Sequence, residues 1–354
     1  MWFPNAEVAV NPALLLLLGV MVGTLSGFFG VGGGFLITGG LLVFGVPPVF
    51  AVGTGLALIM GSSIINTLKH RHLGNVDLRL GMLMLVGTIP GVFFAERLNS
   101  SLEAAGIIGP VIRYVYIVFL GALGGFIVRD YFRVRRTAKL GGEEISTASF
   151  ARRVQRLRIP PHSFWLPGVG TVPTYVSLPV SGIENLSVFI PVAVGLGVGF
   201  FAGLLGAGGG FLLMPALIYG LGVPTTVAIG TDLFQIIVTG SWGTFLYALS
   251  HNVDPKMAII MLSAASVGSQ LGTSATRFVD PARIRVLFGV TILGGCAAVA
   301  LEQASTFSDS VEFLSTLASV VLLSVAGAMC LIIGVLMIRA KRGSRELAPA
   351  DADD

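Results

Sequence analysis

The chain has 354 residues, of which 54% are apolar or weakly polar (Ala, Val, Ile, Leu, Met, Phe, Trp, Tyr, Cys) and only 11% are charged. A soluble domain carries about 25% charged residues, so this composition excludes an ordinary soluble enzyme, a soluble nucleic-acid binder and a disordered chain. The net charge of +4 fits basic residues retained in the cytoplasmic loops of a membrane protein.

The first ten residues carry no Lys or Arg. They lack the basic start of a cleaved signal peptide and read as part of the mature protein. A membrane span needs about 20 apolar residues. Apolar stretches run near 11–45, 49–68, 80–95, 108–128, 186–220, 226–249, 257–276, 286–301 and 314–338. The stretches 11–45 and 186–220 are too long for one simple helix, and each is interrupted by glycines. The pattern predicts four parts: a first transmembrane repeat over 11–128, a basic cytoplasmic linker over 129–185, a second repeat over 186–301, and a final helix over 314–338.

The repeat is visible in the residues. Gly27-Phe28-Phe29-Gly30-Val31-Gly32-Gly33-Gly34-Phe35-Leu36 matches Gly203-Leu204-Leu205-Gly206-Ala207-Gly208-Gly209-Gly210-Phe211-Leu212 at an offset of 176. Val46-Pro47, Ala51-Val52-Gly53-Thr54 and Asn75-Val76-Asp77 match Val223-Pro224, Ala228-Ile229-Gly230-Thr231 and Asn252-Val253-Asp254 at an offset of 177. A duplication of this size in an apolar chain points to a transporter built from two halves.

Charge sets the orientation. Arg129, Arg133, Arg135, Arg136, Lys139, Arg152, Arg153, Arg156 and Arg158 place 129–158 in the cytoplasm, and Arg339, Lys341, Arg342 and Arg345 place the C-terminus there too. The loops with Lys69, Arg71, Arg79 and with Arg277, Arg283, Arg285 suit the same side. The loop with Glu302, Asp309 and Glu312 suits the other. These assignments agree if 186–220 enters and returns on one side. By the same logic 11–45 is a hairpin, although a single span with Met1 inside also satisfies the loop charges. Each half is then a hairpin plus three spans, and the expected fold is an all-α polytopic membrane protein of two inverted repeats. The linker, with Pro160-Pro161 and Pro167 to Pro179, predicts ordered loop or short strands.

The glycine clusters Gly30, Gly32, Gly33, Gly34 and Gly206, Gly208, Gly209, Gly210 are the strongest functional signal. Glycine lets backbone N–H groups approach a ligand, and a broken helix in a membrane exposes a partly positive N-terminus. Two such breaks meeting near the midplane make an anion site without formal charge. Tight helix packing through glycine is the competing account. A dinucleotide loop is rejected, because no Asp or Glu lies between Glu7 and Asp77. Asp232, an ionisable residue inside a span, is a candidate proton carrier, or else an interfacial cap. Its repeat partner is Gly55. Thr54 and Thr231 are candidate hydroxyl donors to an anion, or else bond back to their own helix. Asn66, Gln235 and Gln270 form a second tier. Ser62, Ser63, Thr239 and Ser241 read mainly as helix contacts. His70 and His72 read as solvated cytoplasmic residues, Arg97 and Arg277 as orientation signals, and Cys296 and Cys330 as small buried hydrophobes. No catalytic set, metal-ligand spacing or cofactor motif appears, and the sequence calls for no cofactor. The aromatic residues among the basic ones, Tyr131, Phe132, Phe150 and Trp165, fit anionic lipid headgroups rather than nucleic acid.

At the two glycine blocks, with the Ala-x-Gly-Thr blocks that follow Val-Pro, the sequence resembles the TauE/SafE family of sulfite exporters and sulfonate permeases. The resemblance covers about 15–128 and 190–338 and leaves out the linker. It implies a transporter of the bacterial inner membrane, in the exporter family by description, that moves a small sulfur-containing anion such as sulfite or an organosulfonate. A passive channel, or a transporter of an unrelated small anion, remains the alternative. An embedded enzyme would need catalytic side chains at one depth, and a scaffold would not need duplicated glycine breaks. Whether copies assemble into a homo-oligomer is left open.

Overall fold

The computed structural model describes residues 1–72, 74–139, 148–157, 160, 163–166, 170–206, 208–305 and 311–346. Ala207, Arg158, Pro161, Pro167 and Asp309, named above, lie outside the described residues.

A short N-terminal hairpin, β1 (Trp2–Phe3) and β2 (Val8–Ala9), precedes α1 (Pro12–Phe29). Asn11 caps α1, accepting from the Ala13 N–H at 2.9 Å, with Pro12 in the first turn. The helix stops at Gly30, whose left-handed backbone closes the last turn. Then come α2 (Gly34–Val43), α3 (Pro48–His72), α4 (Leu78–Ala104) and α5 (Ile108–Lys139). The basic segment thus begins as the last turns of α5, with Arg129, Arg133, Arg135 and Arg136 exposed. The linker continues with α6 (Ala148–Gln155) and two antiparallel pairs, β3 (Ser163–Leu166) with β4 (Gly170–Pro173) and β5 (Tyr175–Leu178) with β6 (Ile183–Ser187). The second half comprises α7 (Phe189–Leu205), α8 (Gly210–Pro215) continued by a π-helical turn Ala216–Leu221, then α9 (Thr225–Leu249), α10 (Pro255–Ala275), α11 (Pro281–Ser305) and α12 (Val311–Glu346).

Among the described residues, α1, α3, α4, α5, α10, α11 and α12 are long and apolar enough to cross a membrane. The chain is an all-α polytopic membrane protein. Each over-long apolar stretch breaks into two helices at its glycines. A β-carbon added at Gly33 would lie 2.5 Å from Val22 Cγ1, and one at Gly40 would lie 2.6 Å from Leu18 Cδ2, so α2 returns along α1. Gly209 meets Val198 in the same way, at 2.6 Å.

The halves interlock. α1 packs on α10 and α7 packs on α4, through small residues that let backbones approach. A β-carbon at Gly27 would lie 2.5 Å from the Ser269 carbonyl, and one at Gly203 would lie 2.7 Å from Ala95 Cβ. Between these pairs α3 and α9 run antiparallel through the centre. Gly53 touches Asn252 at one end, and Gly230 touches Asn75 at the other. The contacts recur with the sequence offset: Ile229 on Gly30 and Val52 on Gly206, Ile236 on Gly32 and Ile59 on Gly208.

Two hydroxyls fasten this arrangement. Thr54 Oγ1 accepts the Asp254 N–H at 3.0 Å, and Thr231 Oγ1 accepts the Asp77 N–H at 2.9 Å. Asp254 and Asp77 in turn cap α10 and α4, accepting from the N–H groups of Met257 and Leu80 at 3.0 Å. Each threonine holds the capped start of a helix belonging to the other half or packed against it. The linker ties in at the same point, Ser181 Oγ donating to Asp77 Oδ2 at 2.6 Å.

Candidate functional site

The two breaks meet at the middle of the bundle. Ile59 and Ile236 lie near the midpoints of α3 and α9, and both press on Gly208. A β-carbon at Gly210 would lie 2.5 Å from the Val31 carbonyl of the other break. Gly33 and Gly209, the residues before α2 and α8, have φ of +70° and +80°, and neither helix start has a side-chain cap. Glycine alone enters that backbone region at no steric cost. The start of α2 therefore offers uncapped N–H groups and the positive end of a ten-residue helix dipole. Ser63 stands beside it: a β-carbon at Gly32 would lie 3.6 Å from Ser63 Oγ, and this fully buried hydroxyl has no hydrogen-bond partner among the described residues.

Asp232 lies on the α9 face between Ile229 and Ile236, the side chains that touch Gly30 and Gly32. It is fully buried, and neither carboxylate oxygen has a partner among the described residues. Gln235, one turn further, donates from Nε2 to Thr88 Oγ1, and its Oε1 has no partner.

The other predicted residues fall elsewhere. Thr54 and Thr231 point at the helix starts they fasten rather than into the glycine turns. Asn66 ties three helices: Nδ2 donates to Ser26 Oγ at 3.2 Å, while Oδ1 accepts from Thr273 Oγ1 at 2.9 Å and from Ser269 Oγ. Gln270 is exposed on α10, where its Oε1 and carbonyl accept from Lys69 Nζ at 3.3 and 3.1 Å. Ser62, Thr239 and Ser241 bond back to their own helices as expected. Arg97 lies over the Phe93 ring at 5.4 Å. Cys296 and Cys330 are free, half-buried thiols between helices. One expectation is corrected: His72 is exposed, but His70 is buried (1% exposed) because α3 turns that face inward against its neighbours.

The sequence reading did not single out Thr38, Asn99, Tyr116 and Tyr247. All four converge on the end of α7. Tyr247 Oη donates to the Gly203 carbonyl at 3.1 Å, Asn99 Nδ2 to Leu204 at 3.1 Å, Tyr116 Oη to Leu205 at 2.8 Å and Thr38 Oγ1 to Gly206 at 3.1 Å. They come from four different helices, so no local pattern announces them. The available signal was a polar group stranded in an apolar helix.

Comparison with known proteins now bears on what such a bundle is. The sequence profile of the sulfite exporter TauE/SafE family matches residues 15–301. The chain belongs to the TauE/SafE family. It is 23% identical to a Bacillus subtilis protein described as probable membrane transporter protein YunE, over 81% of this chain and 96% of that protein. It is 24% identical to probable membrane transporter protein MJ0441 of Methanocaldococcus jannaschii, over 79% and 92%. A Xylella fastidiosa protein described as a probable membrane transporter is 33% identical over 105 residues, 29% of this chain and 40% of that protein. No solved structure matches the chain. The TauE/SafE profile spans both glycine breaks, α3, α9 and nearly all of α11, and so takes in the whole central site.

Proposed function

We propose that this TauE/SafE membrane transporter carries a small sulfur-containing oxyanion, sulfite or an organosulfonate, across the bacterial inner membrane by alternating access. The observation that carries the reading is the uncapped start of α2 where the two glycine breaks meet, with the unpartnered Ser63 hydroxyl beside Gly32. N–H and O–H donors without a formal cation suit an anion that must leave as readily as it enters. Three full helices, α3, α4 and α5, separate the hairpins. An odd number of crossings makes the second hairpin enter from the opposite side, which gives inverted halves that rock about the centre. Arg129, Arg133, Arg135 and Arg136 on α5 support a cytoplasmic position for that end, against anionic headgroups, and for the C-terminus with it.

The test is counterflow of labelled sulfite into proteoliposomes preloaded with sulfite, an organosulfonate, sulfate or chloride. Acceleration by sulfite or the organosulfonate supports the carrier. Sulfite flux indifferent to the preloaded anion favours a channel. No sulfite flux from folded protein removes sulfite from the reading.

A further inference from the structure

The two halves stop matching at the ends of their first helices. On α7, the four last carbonyls each receive a side-chain donor, from Tyr247, Asn99, Tyr116 and Thr38. On α1 two of those donors have no equivalent. The Phe288 ring packs on Phe29 at 5.4 Å, where on α7 the Tyr116 hydroxyl reaches Leu205, and Met214 stands at the position of Thr38 at the offset of 176. Neither side chain can donate a hydrogen bond. The carbonyls concerned are those of Phe29 and Gly30, at the negative end of an 18-residue helix.

The helix facing them differs in the opposite sense. A β-carbon at Gly55 would lie 3.1 Å from the Gly206 carbonyl and 2.8 Å from Thr38 Oγ1. Its counterpart on α9 is Asp232, one turn from Ile229, the side chain that packs on Gly30. Both Asp232 oxygens are unpartnered, and so is Gln235 Oε1 one turn along; both residues are fully buried. The orientation of Gln235 follows from its neighbour. The Thr88 hydroxyl lies within donating range of the Met84 and Gly195 carbonyls, at 2.9 and 3.2 Å, so its oxygen must accept from Gln235, and the amide nitrogen is the atom that faces it. The amide oxygen is left over.

The result is a carboxylate and an amide oxygen with no donor to them among the described residues, near a helix end where Phe288 and Met214 offer none. A proton would serve one carboxylate oxygen and leave the rest. A small metal cation would serve them together, as half-helix carbonyl ends do in transporters with broken helices. We propose that Asp232, Gln235 and the carbonyl end of α1 form a sodium site.

The inference deepens the transport reading by supplying its coupling ion. The cation sits at the C-terminal end of α1 and the anion at the N-terminal start of α2, on either side of the same glycine turn. Each ligand strengthens the field that holds the other.

The experiment is equilibrium binding of radiolabelled sodium to the purified full chain in detergent, with no anion substrate present. Unlabelled sodium should displace the label and N-methylglucamine should not. Asp232→Asn should abolish binding, and Gln235→Leu should weaken it about tenfold or more. Thr239→Val, which alters only a bond back to its own helix, should leave binding unchanged. Gln235→Leu keeps the test decisive if Asp232→Asn fails to fold. Absence of saturable binding to folded wild-type protein overturns the proposal. So does binding that survives both site variants, or an anion flux driven by a pH gradient and indifferent to sodium. Loss of sulfite counterflow with sodium binding intact would count against the anion reading and leave the sodium site standing.

Discussion

Replacing Thr54 with Val removes one hydroxyl and keeps the shape of the side chain. In the structure that hydroxyl is the acceptor for the Asp254 N–H, at 3.0 Å in a fully buried setting. The variant strands a backbone donor where water does not reach. Leaving a buried donor unmade costs about 1–3 kcal/mol. Thr231→Val strands the Asp77 N–H in the same way and should cost the same within error. The two sites flank the midpoint of antiparallel helices and stand about 18 Å apart along the bundle. Their costs should therefore add, to about 2–6 kcal/mol in the double variant. Thr54→Ser and Thr231→Ser keep the acceptor and should recover most of the loss. The assay is equilibrium unfolding in mixed micelles, read by circular dichroism. Either valine variant unfolding within about 0.5 kcal/mol of wild type, the range of an uneventful surface change, would refute the fastening role. A strong departure from additivity would refute the reciprocal geometry.

Gly33→Ala and Gly209→Ala each force a β-carbon into a left-handed backbone, at about 1–2 kcal/mol, and into Val22 or Val198, at about 1–3 kcal/mol more. Counterflow should be lost in either variant, and normal flux from the double variant would sink the glycine-turn site. Ser63→Ala removes a buried hydroxyl that has no partner, so stability should hold or rise slightly while the KM for anion rises about tenfold; an unchanged KM would take Ser63 out of the site. Asn66→Leu breaks the bonds to Ser26, Ser269 and Thr273 and should cost about 2–4 kcal/mol, loosening α1 from α3 and α10; a smaller loss than Thr54→Val shows would mean that the cluster reseals with water. Tyr116→Phe strands the Leu205 carbonyl and should cost about 1–2 kcal/mol in the same assay.

The glycine blocks were legible because a broken membrane helix needs residues free to take a positive φ, and few residue types serve. The helix ends were legible from the apolar lengths, to within a few residues at most boundaries. The role of Thr54 and Thr231 was half legible. The threonine block and the Asn-Val-Asp block recur at one offset, which marks them as joint features, but periodicity within a helix cannot show that one caps the other across the bundle. The cluster of Tyr116, Tyr247, Asn99 and Thr38 on the end of α7 was not legible at all. Its members come from four helices, and two of them, Tyr116 and Thr38, do not repeat in the other half. That same lack of repetition at Phe288 and Met214 is what separates the two ends and gives Asp232 its setting. A sequence pattern reports what is duplicated; here the chemistry depends on where duplication stopped.

The central claim is that the glycine turn beside Ser63 is an anion site reached alternately from the two faces of the membrane. Its most direct test is side-specific thiol labelling of Ser63→Cys in oriented proteoliposomes, with Cys296 and Cys330 replaced by serine. Labelling from either face, slowed in both cases by an organosulfonate, is the expected result. Labelling from one face alone, at a rate indifferent to the anion, would contradict it.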